Sequence, residues 1–150
     1  MSRTDISVRA VEPTDLDAIL RIDEKLSGQT RKAYWQRRLE LATLRPPWMS
    51  LVAETDGRLV GFLFGWVTEC EFGIPRPVAW VDLVGVDPPY RGRGVGHALF
   101  DRFVSSGREL RAIDKVATLI DLGQGDVREF FVRLGFHHGP MIQMERDVAS

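Results

Sequence analysis

The sequence has little cysteine and no surplus of charge of either sign. Its one cysteine, Cys70, excludes an internal disulfide framework, and no Cys/His spacing indicates zinc, so we expect no metal. Lys and Arg number 20 and Asp and Glu 21, which leaves a net charge of −1 and no general attraction to nucleic acid or to a membrane surface. Any site for an anionic ligand must therefore be formed by a small group of neighbouring residues and not by the overall charge of the protein.

Long apolar runs are also missing. No run approaches the ~20 residues of a membrane span, and residues 1–10 contain no apolar core of a secretion signal. We therefore expect a cytoplasmic protein, in agreement with its single cysteine. With 150 residues, 44% of them hydrophobic, we expect one domain over 1–150 that buries its own core. Nothing in the pattern indicates an oligomeric state.

Hydrophobic periodicity predicts strands and helices in a mixed order. Asp56-Gly57 is a strong hairpin signal, and Thr14 offers a hydroxyl as the N-cap of the first helix. In chain order, the pattern predicts a strand over 6–13, helices over 15–26 and about 31–44, strands over 49–56, 58–70 and 78–86, a helix over 94–110, a strand over 115–123, a helix beginning at 126, and one or two closing strands over 136–148.

The most distinctive stretch joins the strand over 78–86 to the helix that follows it. Gly92, Gly94 and Gly96 can take positive φ and bring bare backbone against a ligand. They stand at the start of a helix, where the first N–H groups have no intrahelical partner. Those N–H groups, the helix dipole and the side chain of Arg91 favour a bound phosphate or pyrophosphate.

The spacing of the glycines excludes the two commonest phosphate loops. A Walker A loop needs a GK[ST] ending, and a dinucleotide fingerprint needs its third glycine three residues after the second. The chain instead has R-x-x-G-x-G at 91–96, preceded by V-x-P at 86–88, and this resembles the acetyl-CoA signature of the GNAT superfamily of N-acetyltransferases. A second segment, FFVRLGF at 130–136, is similar to the family's F-Y-x-K/R-x-G-F segment. The order of predicted elements is also that of the GNAT fold.

The resemblance implies an α/β (α+β) fold, with a mixed, mostly antiparallel central sheet of six to seven strands, about four flanking helices and a splay after the fourth strand. It implies acetyl-CoA as co-substrate and an amine acceptor, either a small molecule or a protein amine. The implied reaction is N-acetyl transfer by direct attack in a ternary complex. The implied cofactor-binding residues are Val84, Gly85, Val86, Arg91, Gly92, Arg93, Gly94, Val95, Gly96 and Phe131.

Two catalytic roles are expected on the strand before the loop. By resemblance, the backbone N–H of Val84 stabilises the oxyanion, and pantetheine pairs with the backbone at Val84 and Val86. Asp82 is the only acid within 78–86, and alternation would place it on one face with Trp80, Val84 and Val86. We therefore favour Asp82 as the base over a structural ion pair. The alternative acids are Glu69, Glu71 and Asp121.

One departure from the family pattern keeps other functions open. Phe131 stands where many members have the tyrosine that protonates the leaving thiolate, and a phenyl ring cannot donate a proton. The acid is therefore unidentified, and a CoA-binding sensor or scaffold without turnover is the alternative function. A general nucleotide-phosphate binder is a third. Four tryptophans either line an acceptor pocket or pack in the core: Trp35, Trp48, Trp66 and Trp80.

Overall fold

The computed structural model describes residues 5–149, which form two compact units that divide between Leu119 and Ile120. The first unit contains a five-stranded sheet in the order β1-β2-β3-β4-β5, antiparallel except for the parallel β4–β5 pair. Residues 1–4, part of the segment inspected for a secretion signal, lie outside the described residues. The strands are β1 (Ser7–Ala10), β2 (Ser50–Thr55), β3 (Arg58–Thr68), β4 (Val78–Val86) and β5 (Val116–Thr118).

The described residues also form four helices, as the sequence predicts. Three belong to the first unit and one to the second, and short 3₁₀ turns over Pro13–Asp15, Pro47–Met49, Glu71–Gly73 and Pro88–Tyr90 join the elements. The helices are α1 (Leu16–Ser27), α2 (Lys32–Thr43), α3 (Val95–Arg111) and α4 (Gly125–Arg133). Each lies within two residues of the bounds predicted for it.

The predicted strand count of six to seven is wrong for the part of the chain described, which has five strands. The closing segment 136–148 alternates apolar and polar residues but forms no strand, and Met144 is 85% exposed. Alternation stabilises a strand only where a neighbour pairs with it and one face is buried, and this segment has neither. β5 also stops at Thr118, and the apolar residues after it, Leu119 and Leu122, are exposed.

The two faces of the sheet are covered by different helices. On one face, Ile19 of α1 and Trp35 of α2 pack with Phe62 and Phe64 of β3 in a buried cluster. On the other face lies α3, whose Phe103 ring would be 2.6 Å from a Cβ atom built on Gly65. The interior Gly65 of β3 therefore makes room for a helix that packs closely on the strand.

The start of α1 depends on a buried carboxylate rather than on the predicted Thr14 cap. Asp15 accepts a hydrogen bond from the N–H of Glu12 at 2.7 Å and two from Arg9, at 2.8 and 2.9 Å. The 3₁₀ turn over Pro13–Asp15 precedes the helix, so Thr14 lies inside that turn. Burial by itself raises the pKa of Asp15, but the hydrogen bonds from Arg9 and Glu12 outweigh it and leave the pKa lowered.

This lowered pKa predicts acid sensitivity. A carboxyl with a folded-state pKa below its unfolded value of about 4 contributes stability above that pH and loses it as the pH falls through the folded pKa. We expect Asp15→Asn to lower the free energy of unfolding at pH 7 by about 1–2 kcal/mol, a modest loss because solvent screens the partly exposed Arg9. Urea denaturation from pH 7 to 2 should show a smaller acid-induced loss in the variant. An equal acid-induced loss in parent and variant would contradict the assignment.

Candidate active site

A β-bulge in β4 determines the geometry of the candidate site. Leu83 pairs with Phe64 of β3, but the next pair is Val81 with Gly65, so Asp82 has no partner residue across the strands. The extra residue reverses the alternation of β4 beyond that point. The expectation that Asp82 and Val84 share one face is therefore wrong. Beyond the bulge, Leu83 packs on the cluster beneath α1 and α2, and Val84 lies on the opposite face.

The same bulge sets the direction of the backbone groups. The N–H of Asp87 donates to the Val60 carbonyl of β3 at 2.8 Å, so by alternation the amides of Val84 and Val86 point away from β3. On that side β5 pairs with β4 only through Ala79, Trp80 and Val81. Among residues 5–149, no strand pairs with β4 beyond Val81 on this edge, so the amides of Val84 and Val86 face an open edge.

The glycine loop follows β4 after the turn over Pro88–Tyr90, and two of its three glycines have the positive φ that the sequence allows, whereas Gly96 lies inside α3. Gly92 and Gly94 have φ of 76° and 86°, in the left-handed region, and Gly94 is the N-cap of α3. No side chain caps this helix end, and residues 91–94 are exposed. The N-terminus of α3 thus follows an exposed segment in which every second residue is a glycine. Arg93 lies over the ring of Tyr90, with its guanidinium carbon 5.1 Å from the ring centre.

Asp82 lies in an ion pair with an arginine distant in sequence. Its Oδ2 is 2.5 Å from Nη2 of Arg38 on α2, and the guanidinium carbon of Arg38 lies 5.5 Å from the centre of the Phe64 ring. The Arg38 side chain is 14% exposed and that of Asp82 36% exposed. The carboxylate is therefore oriented by an arginine yet still reached by solvent. Arg38 is one of several charged residues of α2, and no local pattern distinguishes it.

The alternative acids have local partners of their own. Glu69 forms an ion pair with Arg111 of α3. Glu71 accepts hydrogen bonds from the N–H groups of Glu69 and Cys70, at 3.3 and 3.2 Å. In the second unit, Asp121 accepts from the N–H of Gly123 at 2.8 Å, as in an Asx turn.

The four tryptophans divide into two pairs. Trp35 and Trp48 are buried and contact core aromatics, so they are packing residues. Trp66 and Trp80 stack on adjacent strands, are only partly buried, and lie on the face that carries α1 and α2. The indole N–H of Trp80 donates to the hydroxyl of buried Thr68 at 3.0 Å, which fixes its orientation. Of the four tryptophans, only Trp66 and Trp80 therefore remain candidates for lining an acceptor pocket.

Phe131 is a packing residue of the second unit. It is buried and makes edge-on contacts with Phe130 and Phe136, at ring-centre distances of 5.3 and 5.1 Å. The core packing expected for the two phenylalanines of α4 is thus found for Phe131. Its contact with a cofactor stays a prediction.

Two negative findings concern the described residues alone. Within 5–149, no group of three or more His, Cys, Asp and Glu side chains is arranged to hold a metal ion. None of the helices over the same residues combines the length and the apolar character needed to cross a membrane.

Comparison with known proteins identifies the family of this chain. The family model for acetyltransferases of the GNAT family matches residues 16–136. An uncharacterized N-acetyltransferase of Methanocaldococcus jannaschii is 27% identical over 91% of this chain and 63% of its own length. The mycothiol acetyltransferase of Salinispora arenicola is 30% identical over 87% of this chain and 44% of its own length. This chain thus spans about half to two thirds of the length of these relatives.

Solved structures have the same fold. An aminoglycoside N-acetyltransferase in complex with CoA superposes with a TM-score of 0.77 at 18% identity, over 97% of both chains. At that identity the likeness concerns the fold alone. The family model covers most of the sequence, including the glycine loop and the segment FFVRLGF. The chain therefore belongs to the GNAT family of acetyltransferases.

Proposed function

We propose that this protein is an N-acetyltransferase that moves an acetyl group from acetyl-CoA to the primary amine of an acceptor not yet identified. The observation that carries the proposal is the open edge of β4, where no strand of residues 5–149 pairs with the amides of Val84 and Val86, shortly before a glycine loop at a helix N-terminus. An elongated ligand with a diphosphate at one end matches such a surface. The cytoplasmic location expected from the sequence stays a prediction.

The chain offers acetyl-CoA two kinds of backbone contact. The N–H groups from Gly92 to Gly96 and the dipole of α3 would hold the pyrophosphate, with the exposed Arg91 and Arg93 adding positive charge. The amides of Val84 and Val86, with Gly85 between them, would pair with pantetheine as an added strand does. Val95 and Gly96 are buried and anchor the helix end beneath the loop.

The reaction needs a base and an oxyanion donor. A free alkylamine has a pKa near ~10, so a group must accept its proton before or during attack. In our proposal Asp82 accepts that proton, directly or through a water, at the carboxylate that Arg38 orients. The N–H of Val84 donates to the thioester oxygen as it gains charge. The amine nitrogen bonds to the acetyl carbon, the carbon–sulfur bond breaks, and the sulfur leaves as thiolate.

Phe131 does not prevent this reaction. A thiol has a pKa of about 8.5, so a thiolate is a moderate leaving group and can take its proton from solvent after the bond breaks. The absence of a hydroxyl at this position nevertheless favours the second candidate, a CoA-binding sensor or scaffold without turnover. Both candidates would bind CoA, but only the N-acetyltransferase would turn over acetyl-CoA.

Titration followed by an acceptor screen tests the proposal. We expect acetyl-CoA and CoA to bind far more tightly than ATP in isothermal titration, because only they also pair with the β4 edge. A panel of amines, amino acids and peptides with free N-termini, assayed for free thiol, should then contain an acceptor that raises the rate of thiol release. Binding of ATP as tight as that of acetyl-CoA would exclude the family function. Tight CoA binding without turnover on any amine would favour the sensor.

The loop itself is tested by Gly94→Val. A Cβ atom at Gly94 meets no heavy atom within 4 Å, so the side chain has room but projects over the loop, where the pyrophosphate is expected. We expect the Kd for acetyl-CoA to rise about 10- to 100-fold, the cost of one lost charge-assisted hydrogen bond. Gly28→Val is the matched control, because Gly28 also has a positive φ of 73° and open surroundings but caps α1. Unchanged affinity in folded Gly94→Val would exclude the loop from the site.

The role of Asp82 as base is tested by Asp82→Asn beside Arg38→Met. If Asp82 accepts the proton, Asp82→Asn should lower kcat by about 10²- to 10⁴-fold, with acetyl-CoA affinity kept and partial recovery at high pH. Arg38→Met breaks the same ion pair but keeps the carboxylate, so it should retain most of the rate. Equal losses of kcat in Asp82→Asn and Arg38→Met would mean that the ion pair has a structural role only. If folded Asp82→Asn keeps the kcat of the parent, the base must be sought among Glu69, Glu71 and Asp121.

A further inference from the structure

Three carboxylates are buried in the described part of the chain, and one of them is not fully paired. Both carboxylate oxygens of Asp15 accept a hydrogen bond from Arg9, and both oxygens of Asp23 accept one from Arg31, at 2.9 and 2.6 Å. Asp87, at 0% exposure the most deeply buried of the three, has no such fork. A half-paired buried carboxylate is costly in free energy, so its presence calls for an explanation other than stability.

The partners of Asp87 come from two elements distant in sequence. Nζ of Lys25, in the last turn of α1, lies 2.9 Å from Oδ1. Nη2 of Arg58, the first residue of β3, lies 3.9 Å from Oδ2, beyond hydrogen-bond distance. No other protein group among residues 5–149 donates to Oδ2. The carboxylate thus attracts two cations but is bonded to one.

The backbone of Asp87 is held as firmly as its side chain. Its N–H donates to the Val60 carbonyl, and its own carbonyl accepts from the N–H of Tyr90, both at 2.8 Å. The second bond closes the 3₁₀ turn over Pro88–Tyr90, and Gly92 follows two residues later. Asp87 therefore directly follows β4 and fixes the point at which the chain turns towards the glycine loop.

We propose that Asp87 is a positioning residue for the cofactor loop. Through Lys25 and Arg58 its buried carboxylate ties α1 and the start of β3 to the point where β4 turns into the loop, and so fixes the direction in which the loop amides point. Neither the carboxylate nor Lys25 touches the ligand. The inference rests on the proposed function, since it assumes that CoA binds at this loop.

A role in stability alone predicts a different pattern of effects. An ion pair that only stabilises the fold lowers Tm when it is broken, and the protein that remains folded binds CoA as before. A positioning pair changes the ligand's Kd in the folded protein, because displaced amides lose their bonds to the pyrophosphate. Once acetyl-CoA is saturating, kcat and the acceptor KM should change little. The comparison of Kd with Tm therefore separates the two roles.

The test uses Asp87→Asn and Lys25→Met, each titrated with CoA and acetyl-CoA below its Tm. We expect both variants to raise the Kd about tenfold, the loss expected for one charge-assisted hydrogen bond. Lys25→Arg should restore the affinity, because it restores the cation. Lys25→Met also tests the proposal if Asp87→Asn does not fold, since the Lys25 side chain is 38% exposed and its loss leaves the core unchanged. The matched control is Asp23→Asn, which removes another buried carboxylate paired to an arginine, on α1 itself.

The outcomes separate this inference from the proposed function. Raised Kd in Asp87→Asn or Lys25→Met, with Asp23→Asn within about twofold of the parent, supports the positioning role. If Asp87→Asn and Lys25→Met bind CoA as tightly as the parent while Gly94→Val binds it more weakly, the inference is overturned and the proposed function stands. An equal rise in Asp23→Asn also overturns it, because the effect is then general destabilisation. Parent affinity in Gly94→Val as well would show that CoA does not bind at this loop, and the proposed function would fail.

Discussion

The register shift at Asp82 is the constraint on which the candidate site depends. Without the extra residue, the amides of Leu83 and Gly85 would face the open edge of β4, and those of Val84 and Val86 would bond to β3. Asp82 lies on the side of α2, the face of Trp80, where Arg38 pairs with it. One irregular residue thus determines which backbone groups of β4 are free.

A second constraint fixes the helix that follows the loop. α3 lies so close to β3 that Cβ atoms at Gly61 and Gly65 would come within 2.8 and 2.6 Å of its side chains. Gly107 of α3 similarly leaves no room for a Cβ beside Ile113. Contacts this close leave the helix little freedom to slide, so its N-terminus stays at the end of β4. The Asp87 ion pair acts at that same junction, from the opposite face of the sheet.

The structural features that the sequence predicts correctly are those determined by residues close together in the chain. The bounds of β4 agree with the prediction, because two prolines end an apolar run there, and the positive φ of Gly94 follows from its place at a helix start. The bulge, the Arg38 contact and the Lys25 contact join residues far apart in the chain, so no window of sequence contains them. The closing strands were predicted from alternation alone, which does not identify a pairing partner.

The unpaired stretch of β4 has a consequence for the behaviour of the protein without its ligand. Over Asp82 to Val86, no strand of residues 5–149 pairs with the outer edge of β4, so the backbone groups of Val84 and Val86 are open there, and such an edge is a template for a strand from another molecule. Its shortness and the two prolines after it limit such pairing. A ligand bound along this edge would occupy the same groups. The edge that would serve recognition is thus also an edge that could pair with another chain, and a bound ligand would protect it from such pairing.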